Sequence, residues 1–340
     1  MGVLEVRNLK KYFTQNAGIV ESLFSNADNT VKAVDNVSLS VEENDSIGVI
    51  GESGCGKSTL LKTLMGIHDP TSGEIIFDGK ALSEFSKSDW KTFRERVSIV
   101  FQDPYNTLDP RMSVRESLMQ PLQIHNRDNK EERIKDALRK AELRPPAEYL
   151  DRKPEQLSGG ERQRVSVARA IILEPDILLA DEPVSMLDVS TQSSILNLLL
   201  KLKTELDMAI VYISHDLSTV SYICDTVNVM YLGRIVEKSS VDDLLDDPLH
   251  PYSKALIRAL PIPNPYVERE TAEVEGTPQT PIGLGEGCRF RDRCPDREEI
   301  CEITPRDVTV AEDKTVACHL YYDHEQDDTA TDTAGVVTHE

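Results

Sequence analysis

The 340-residue sequence predicts an α/β fold, and three stretches carry that prediction. Ile47-Gly48-Val49-Ile50 is a short apolar run that ends at a glycine-rich turn, and residues 58–64 after it have helical character. Ile177-Leu178-Leu179-Ala180 is a second apolar run, and it ends in two carboxylates, Asp181 and Glu182. Between 160 and 216 the pattern alternates helix, strand, helix, strand, with strands at 177–180 and 209–213 around a helix near 190–206. Buried strand, glycine loop and helix in that order are the building unit of open α/β folds.

The remaining elements follow along the chain. Residues 3–7 read as a short strand, with Asn8 to Tyr12 leading into a polar loop, and residues 15–30 show no period and read as an insertion. Val37-Ser38-Leu39-Ser40-Val41 alternates apolar and polar, as a half-buried strand does. Residues 85–165 are more helical and more charged, with an amphipathic stretch at 131–143. Beyond about 245 prolines become frequent (248, 251, 261, 263, 265, 278, 281, 295, 305), which marks a loop-rich appendage. Residues 323–340 are polar and acidic with few apolar anchors, a composition expected to stay disordered.

Composition narrows the function classes. No apolar run approaches the roughly 20 residues of a spanning helix, and the first residues lack the basic start and apolar stretch of an export signal, so a cytoplasmic location is expected. Asp and Glu number 59 against 38 Lys and Arg, a formal charge of −21. Such a chain repels a phosphate backbone, which argues against a nucleic-acid partner. The acidic excess fits a well-solvated surface or adaptation to a salt-rich cytoplasm equally, and it says little about mechanism.

Residues 51–58, Gly51-Glu52-Ser53-Gly54-Cys55-Gly56-Lys57-Ser58, fit G-x-x-x-x-G-K-S between a strand and a helix. The glycines let backbone N–H groups converge on a β-phosphate, and the helix N-terminus adds its positive end. Lys57 can bridge β- and γ-phosphates, the Ser58 hydroxyl can ligate Mg²⁺, and Thr59 can add a contact on the same turn. Cys55 falls at a variable position of the pattern. At the end of the second strand, Asp181 is placed to hold Mg²⁺ and Glu182, one residue on, to polarise an attacking water. Leu157-Ser158-Gly159-Gly160-Glu161 opens a helical run over 162–173. There Ser158 can serve as N-cap and anion ligand, while paired glycines are a costly choice for a plain cap and permit close approach to a second phosphate.

Together these residues resemble the ABC transporter ATPase family, from about residue 3 to 240. The glycine loop, the family's signature at Leu157-Ser158-Gly159-Gly160-Glu161 (with Glu161 where Gln is commoner) and Asp181-Glu182 occur in the family's order. Tyr12 resembles its adenine-stacking aromatic. Gln102, in Val100-Phe101-Gln102-Asp103-Pro104, resembles the glutamine that contacts Mg²⁺ and the attacking water. Leu187-Asp188 resembles the loop that crosses the dimer interface, and His215, in Ile213-Ser214-His215-Asp216, resembles the switch histidine on the γ-phosphate. Met186 stands where a small residue is more usual, but no chemical group is lost.

The resemblance implies a P-loop NTPase core with an antiparallel β subdomain and a helical subdomain at about 103–165, the whole spanning 1–245. It also implies head-to-tail pairing, in which Ser158 and Gly160 of one domain complete the ATP site of the other. Two separate membrane permease subunits would be driven by closure, placing the chain peripherally on the cytoplasmic face of the membrane.

Two regions are similar to the oligopeptide/dipeptide importer branch. One is the run from Phe101 through Tyr105-Asn106-Thr107-Leu108-Asp109-Pro110-Arg111-Met112. The other is the C-terminal region 246–322, with His250-Pro251-Tyr252, Gly287-Cys288-Arg289-Phe290 and Arg293-Cys294-Pro295. Val31-Lys32-Ala33-Val34-Asp35 also looks like one of the paired ATPases of such importers, which implies a sister ATPase, or a second copy of this chain, and an extracytoplasmic solute-binding protein. Cargo in this branch extends to metal complexes and sugars. A non-transport ABC ATPase usually carries two ATPase halves, a coiled-coil insertion or basic arms, none of which is visible. A pure nucleotide sensor would not need both Glu182 and His215.

Four of the six cysteines, at 288, 294, 301 and 318, are spaced C-x5-C-x6-C-x16-C, while Cys55 and Cys224 are isolated. In a cytoplasmic chain such a group argues for a metal rather than disulfides. By ligand count it suits tetrahedral zinc or a 4Fe–4S cluster equally. The absence of a C-x2-C pair tilts the reading from a zinc ribbon, and the resemblance tilts it toward iron–sulfur. Four unliganded thiols are the plain alternative, and His319 is a possible substitute ligand.

Overall fold

The computed structural model describes residues 3–14, 30–259 and 283–322. The expected insertion, save Thr30, and the acidic tail lie outside the described residues, as do the prolines at 261, 263, 265, 278 and 281.

Strands β1 (Leu4–Thr14) and β2 (Thr30–Val41) pair antiparallel. β3 (Ser46–Ile50) then runs into the glycine loop and helix α1 (Lys57–Leu64). β4 (Ser72–Phe77) and β5 (Lys80–Ala81) complete a four-stranded antiparallel sheet in the order β2-β1-β4-β5. The short strand expected at 3–7 is corrected here, because β1 continues through Asn8 to Tyr12 as far as Thr14. Asn8 has φ 47°, a conformation asparagine tolerates, and the register shifts three times between Val6 and Tyr12, so the alternation that marks a strand is broken without ending the strand.

Helix α2 (Lys87–Arg96) leads to β6 (Val97–Val100). α3 (Pro104–Thr107), α4 (Val114–Ile124) and α5 (Lys130–Lys140) follow, and they pack with α6 (Gly159–Ile171). This group encloses its own apolar core of Leu118, Leu122, Ile134, Leu138 and Val165. The chain then returns to the large sheet through β7 (Ile177–Asp181), α7 (Val189–Leu206), β8 (Ala209–Ser214), α8 (Leu217–Ile223), β9 (Thr226–Tyr231) and β10 (Arg234–Ser240).

In that sheet β9-β3-β8-β7-β6 run parallel, and every residue of β3, β7 and β8 is buried. Both faces are covered, which is why these strands read as unbroken apolar runs rather than alternating ones. The side chains of β8 illustrate this. Ile210 and Tyr212 join the core under α7 and α8, while Val211 and Ile213 join the core with α1, β1 and α2.

After β10 come α9 (Val241–Asp246) and α10 (Pro251–Arg258), with Pro251 at the first helical position, where its missing N–H costs nothing. The C-terminal segment carries a hairpin, β11 (Val308–Ala311) and β12 (Lys314–Val316). It adds to the edge of the large sheet, with Val316 opposite Glu237 and Thr315 opposite Lys238. The appendage is thus continuous with the central sheet. Among the described residues no helix is long and apolar enough to cross a membrane.

Candidate functional site

The parallel strands β3, β6, β7 and β8 all deliver their next residues to one side of the sheet, the place where open α/β sheets bind ligands. From β3 comes the glycine loop. Gly56 has φ 112°, and a Cβ there would meet the Ala33 carbonyl at 1.9 Å, so no other residue fits without moving β2. Lys57 is buried and turns back over the loop, donating to the carbonyls of Gly51 (2.7 Å) and Glu52 (3.0 Å). Burial pushes the Cys55 thiol pKa up, which favours the neutral thiol over the reactive thiolate.

Ser58 donates to Asp181 at 3.0 Å, tying the first turn of α1 to the end of β7. Burial raises the pKa of Asp181 despite that bond, and the neighbouring Glu182 adds to the rise. A pair of oxygens held this way is a donor set for a hard divalent cation. Glu182 follows at φ 45°, unusual for a side chain with a Cβ, and its N–H donates to Ile213 of β8. Its carboxylate is the meeting point of the site. Gln102, just beyond β6, donates to it at 3.2 Å, and His215, just beyond β8, stands 3.0 Å away. The Lys57 ammonium lies 4.0 Å off. Gln102 also bonds Ser185, a partner the sequence did not suggest.

A cleft of about 360 Å³ opens over these groups, lined by Ser53, Gly54, Gly56, Lys57, Ser58, Thr59, Gln102 and Glu182, with Phe13, Val31 and Ala33 at its apolar end. The aromatic at the cleft is Phe13, which corrects the expectation for Tyr12. The Tyr12 hydroxyl instead donates to Asp35, and burial, then this bond, pushes it up to about 12. Asp35 also receives Arg234 (3.0 Å) and Arg289, closing a network away from the cleft.

Ser158, Gly159, Gly160, Glu161 and Asp188 do not line the Lys57 cleft. Ser158 caps α6, accepting from the N–H of Glu161, whose carboxylate accepts from the N–H of Ser158 in return. Asp188 caps α7 by accepting from Thr191, and a Cβ on Gly160 would meet the Thr191 methyl at 2.7 Å. These residues form a second group where α6 meets α7, within a single chain separate from the first.

Cys288, Cys294, Cys301 and Cys318 are free thiols that line one cavity together with His250, Phe290 and His319. Burial pushes Cys294 and Cys318 each up to about 11. Yet among the described residues no three His, Cys, Asp or Glu side chains are grouped to hold a single metal ion. The four cysteines expected to bind zinc or an iron–sulfur cluster thus share one cavity, but they are not grouped as a metal site. His319 is spoken for, with Nε2 2.8 Å from the Ile303 carbonyl and Nδ1 2.8 Å from the Tyr322 hydroxyl, so both ring nitrogens are engaged.

Sequence reasoning also missed contacts between the C-terminal segment and the glycine loop. Arg293 pairs with the Glu52 carboxylate through both terminal nitrogens, at 2.9 and 3.1 Å, and the Tyr252 hydroxyl accepts from the Glu52 N–H at 2.9 Å.

Residues 34–185 match the ABC transporter family, and residues 236–301 match the oligopeptide/dipeptide transporter C-terminal region. The oligopeptide transport ATP-binding protein AppF of Bacillus subtilis (strain 168) is 40% identical over 326 residues, covering 94% of this chain and 97% of the relative. The oligopeptide transport ATP-binding protein OppF of Salmonella typhimurium is 41% identical over 308 residues, covering 89% and 91%. Among solved structures, cbiO1 from Clostridium perfringens superposes with a TM-score of 0.60 at 28% identity, covering 72% of this chain and 91% of that one. The ATP-binding cassette MJ0796 in a dimeric post-hydrolysis state, bound to ADP and Pi, gives the same TM-score and identity over 70% and 98%.

Proposed function

We propose that this chain, which belongs to the ABC transporter family, is the ATP-hydrolysing subunit of an importer of di- or oligopeptides. The observation that carries the reading is the pairing of two features in one chain: the convergence of Lys57, Gln102 and His215 on the Glu182 carboxylate, and the oligopeptide-transporter C-terminal region added to the same sheet.

ATP would lie with its triphosphate along the glycine loop, where Lys57 exchanges the Gly51 and Glu52 carbonyls for phosphate oxygens, and with its base toward Phe13. Ser58, Asp181 and Gln102 would hold Mg²⁺, which supplies charge neutralisation when bound. Glu182 accepts a proton from the attacking water as the water oxygen bonds to the γ-phosphorus. The bond from that phosphorus to the bridging oxygen breaks, and ADP leaves. His215, largely exposed beside Glu182, orients the γ-phosphate, and Gln102 orients the water.

The group formed by Ser158, Gly159, Gly160, Glu161 and Asp188 faces outward in one chain and would complete the site of a second cassette, either a sister ATPase or another copy of this chain. Two membrane permease subunits and an extracytoplasmic solute-binding protein would complete the transporter, with this chain peripheral on the cytoplasmic face. The name of the Bacillus relative and the matched C-terminal region support the peptide cargo. The test is uptake of a labelled tripeptide by cells carrying this chain with its permeases, alongside cells carrying Glu182→Gln. Uptake lost in the variant supports the reading, and equal uptake in both removes the chain from peptide import.

A structural iron–sulfur cluster on Cys288, Cys294, Cys301 and Cys318 remains part of this proposal, supported by four thiols without disulfide partners around one cavity. Thiolate donors suit such a group chemically. Iron and sulfide in roughly equal amounts, about four of each per chain after anaerobic purification, is the expected result. Zinc, or no metal, would remove the cluster and leave the ATPase reading untouched.

A further inference from the structure

We propose that Arg293 is a positioning residue for ATP binding, acting through Glu52 of the glycine loop, so that the segment between Cys288 and Cys294 is a clamp on the nucleotide site. The proposal deepens, and rests on, the reading of residues 51–58 as the triphosphate-binding loop.

Glu52 stands at a position where the loop pattern demands no side chain, and it brings a carboxylate within the run of residues that would hold a polyanion. Left alone, that charge opposes a triphosphate. It is not left alone. Arg293, across 241 residues of sequence, holds both its oxygens in a fork, the geometry in which a guanidinium best neutralises a carboxylate. The Arg293 side chain is nine per cent exposed, with its guanidinium 5.9 Å from the ring centres of both Tyr231 and Phe290, and Glu52 is 24 per cent exposed, so the pair is partly shielded from the screening that weakens surface ion pairs.

Two further contacts fix the backbone at the same place. The Tyr252 hydroxyl accepts from the Glu52 N–H, and Tyr252 lies in α10, just before which the fully buried Glu237 accepts from the N–H groups of Leu249 and of the N-cap His250. On the other side of the loop, the Cys55 carbonyl accepts from Gly233 at 2.7 Å. The turn at Leu232 and Gly233 is gripped in turn by Arg289, which donates to the Leu232 carbonyl and pairs with Asp35. Arg289 and Arg293 sit on one short loop bracketed by Cys288 and Cys294, with the buried Phe290 between them as anchor. One loop therefore reaches both flanks of the phosphate loop, by charge at Glu52 and through the Leu232 turn at Cys55.

The charge logic gives a test that a general loss of folding cannot mimic. With the full-length chain, MgATP affinity is measured by calorimetry for the wild type, Arg293→Ala, Glu52→Gln, the double variant and Lys57→Ala, and nucleotide-free melting temperature is measured for each. Arg293→Ala exposes the triphosphate to an unpaired Glu52 and is expected to weaken MgATP binding about three- to tenfold. In the double variant the offending charge is gone, and affinity is expected to return to within about twofold of Glu52→Gln. Unchanged affinity in Arg293→Ala, or a double variant as weak as Arg293→Ala alone, overturns the proposal. If Arg293→Ala does not fold, Arg293→Met keeps an apolar side chain of similar length beside Tyr231 and Phe290 and is judged by the same two criteria. Lys57→Ala separates the levels: if it too binds MgATP normally, the loop reading falls and the clamp with it, whereas weak binding there beside normal binding in Arg293→Ala removes the clamp alone.

Discussion

Nδ1 of His215 stands 3.0 Å from the same Glu182 oxygen that Gln102 approaches at 3.2 Å, so one carboxylate joins the ends of β6, β7 and β8. Those two partners restrain the rotamer of Glu182, and its backbone is pinned by the bond to Ile213. A general base held on three sides can meet a water molecule without reorganising first.

Glu182→Gln keeps the size and the bond to His215 but cannot accept the proton. ATP turnover is expected to fall by about a hundredfold or more, while MgATP affinity stays within about twofold. Steady-state hydrolysis and equilibrium binding on the same preparation check this. Hydrolysis at the wild-type rate would take Glu182 out of its assigned role.

Lys57→Ala addresses binding instead. The ammonium is buried over the loop and already lies within reach of its carbonyls, so its removal deletes a charge and takes one donor from each of the Gly51 and Glu52 carbonyls. MgATP affinity is expected to drop about tenfold or more. A binding isotherm that matches the wild type would contradict the placement of the triphosphate.

The parts of this site that could be read in the sequence are those encoded by contiguous residues tied to a strand end. Residues 51–58 carry their chemistry in one turn, and Asp181-Glu182 terminate a strand whose burial on both faces shows as an unbroken apolar run. Gln102 and His215 carry no such local signal, and only the family resemblance picked them out. Tyr12 and Phe13 show a different limit. Neighbours on a strand face opposite ways, so the extra β1 residue between Val6 and Leu9 exchanges the inward and outward sets, and bulges are not written in apolar alternation. The pairs Glu52–Arg293 and Asp35–Arg289 join segments more than two hundred positions apart, and nothing periodic announces either. What the sequence did offer was proline frequency after 245, which pointed to loops but not to the strand pairing of β12 with β10.

Phe290 tests how firmly the C-terminal segment is held. It is almost fully buried, with ring contacts to Tyr231 at 5.3 Å, Tyr252 at 5.5 Å and His250 at 5.8 Å. Phe290→Ala leaves a cavity among those rings and is expected to destabilise the chain by about 3–5 kcal/mol. Urea unfolding followed by fluorescence of the lone tryptophan checks the figure. A loss below about 1 kcal/mol would mean that this segment is docked by its strand pairing and not by its aromatic anchor.

Asp35 gives the network around Tyr12 a pH dependence. Burial by itself would raise its pKa, but the Tyr12 hydroxyl, Arg289 and Arg234 outweigh burial and hold the carboxyl below its ordinary 3.8. A group whose pKa is depressed by folding contributes stability that is present above the unfolded value and is lost as pH falls through the folded one. Asp35→Asn mimics the protonated form in shape and leaves Arg289, itself pulled down to about 10 by burial, without its counter-charge. At pH 7 the variant is expected to be less stable by about 3 kcal/mol. As pH falls below 3.8 and on through the lower folded value, the wild type takes up a proton on Asp35 and loses this contribution, so the two unfolding curves should approach each other. A stability gap that stays constant from pH 7 down to pH 3 would show that Asp35 acts there by shape and hydrogen bonding, and that its charge contributes nothing.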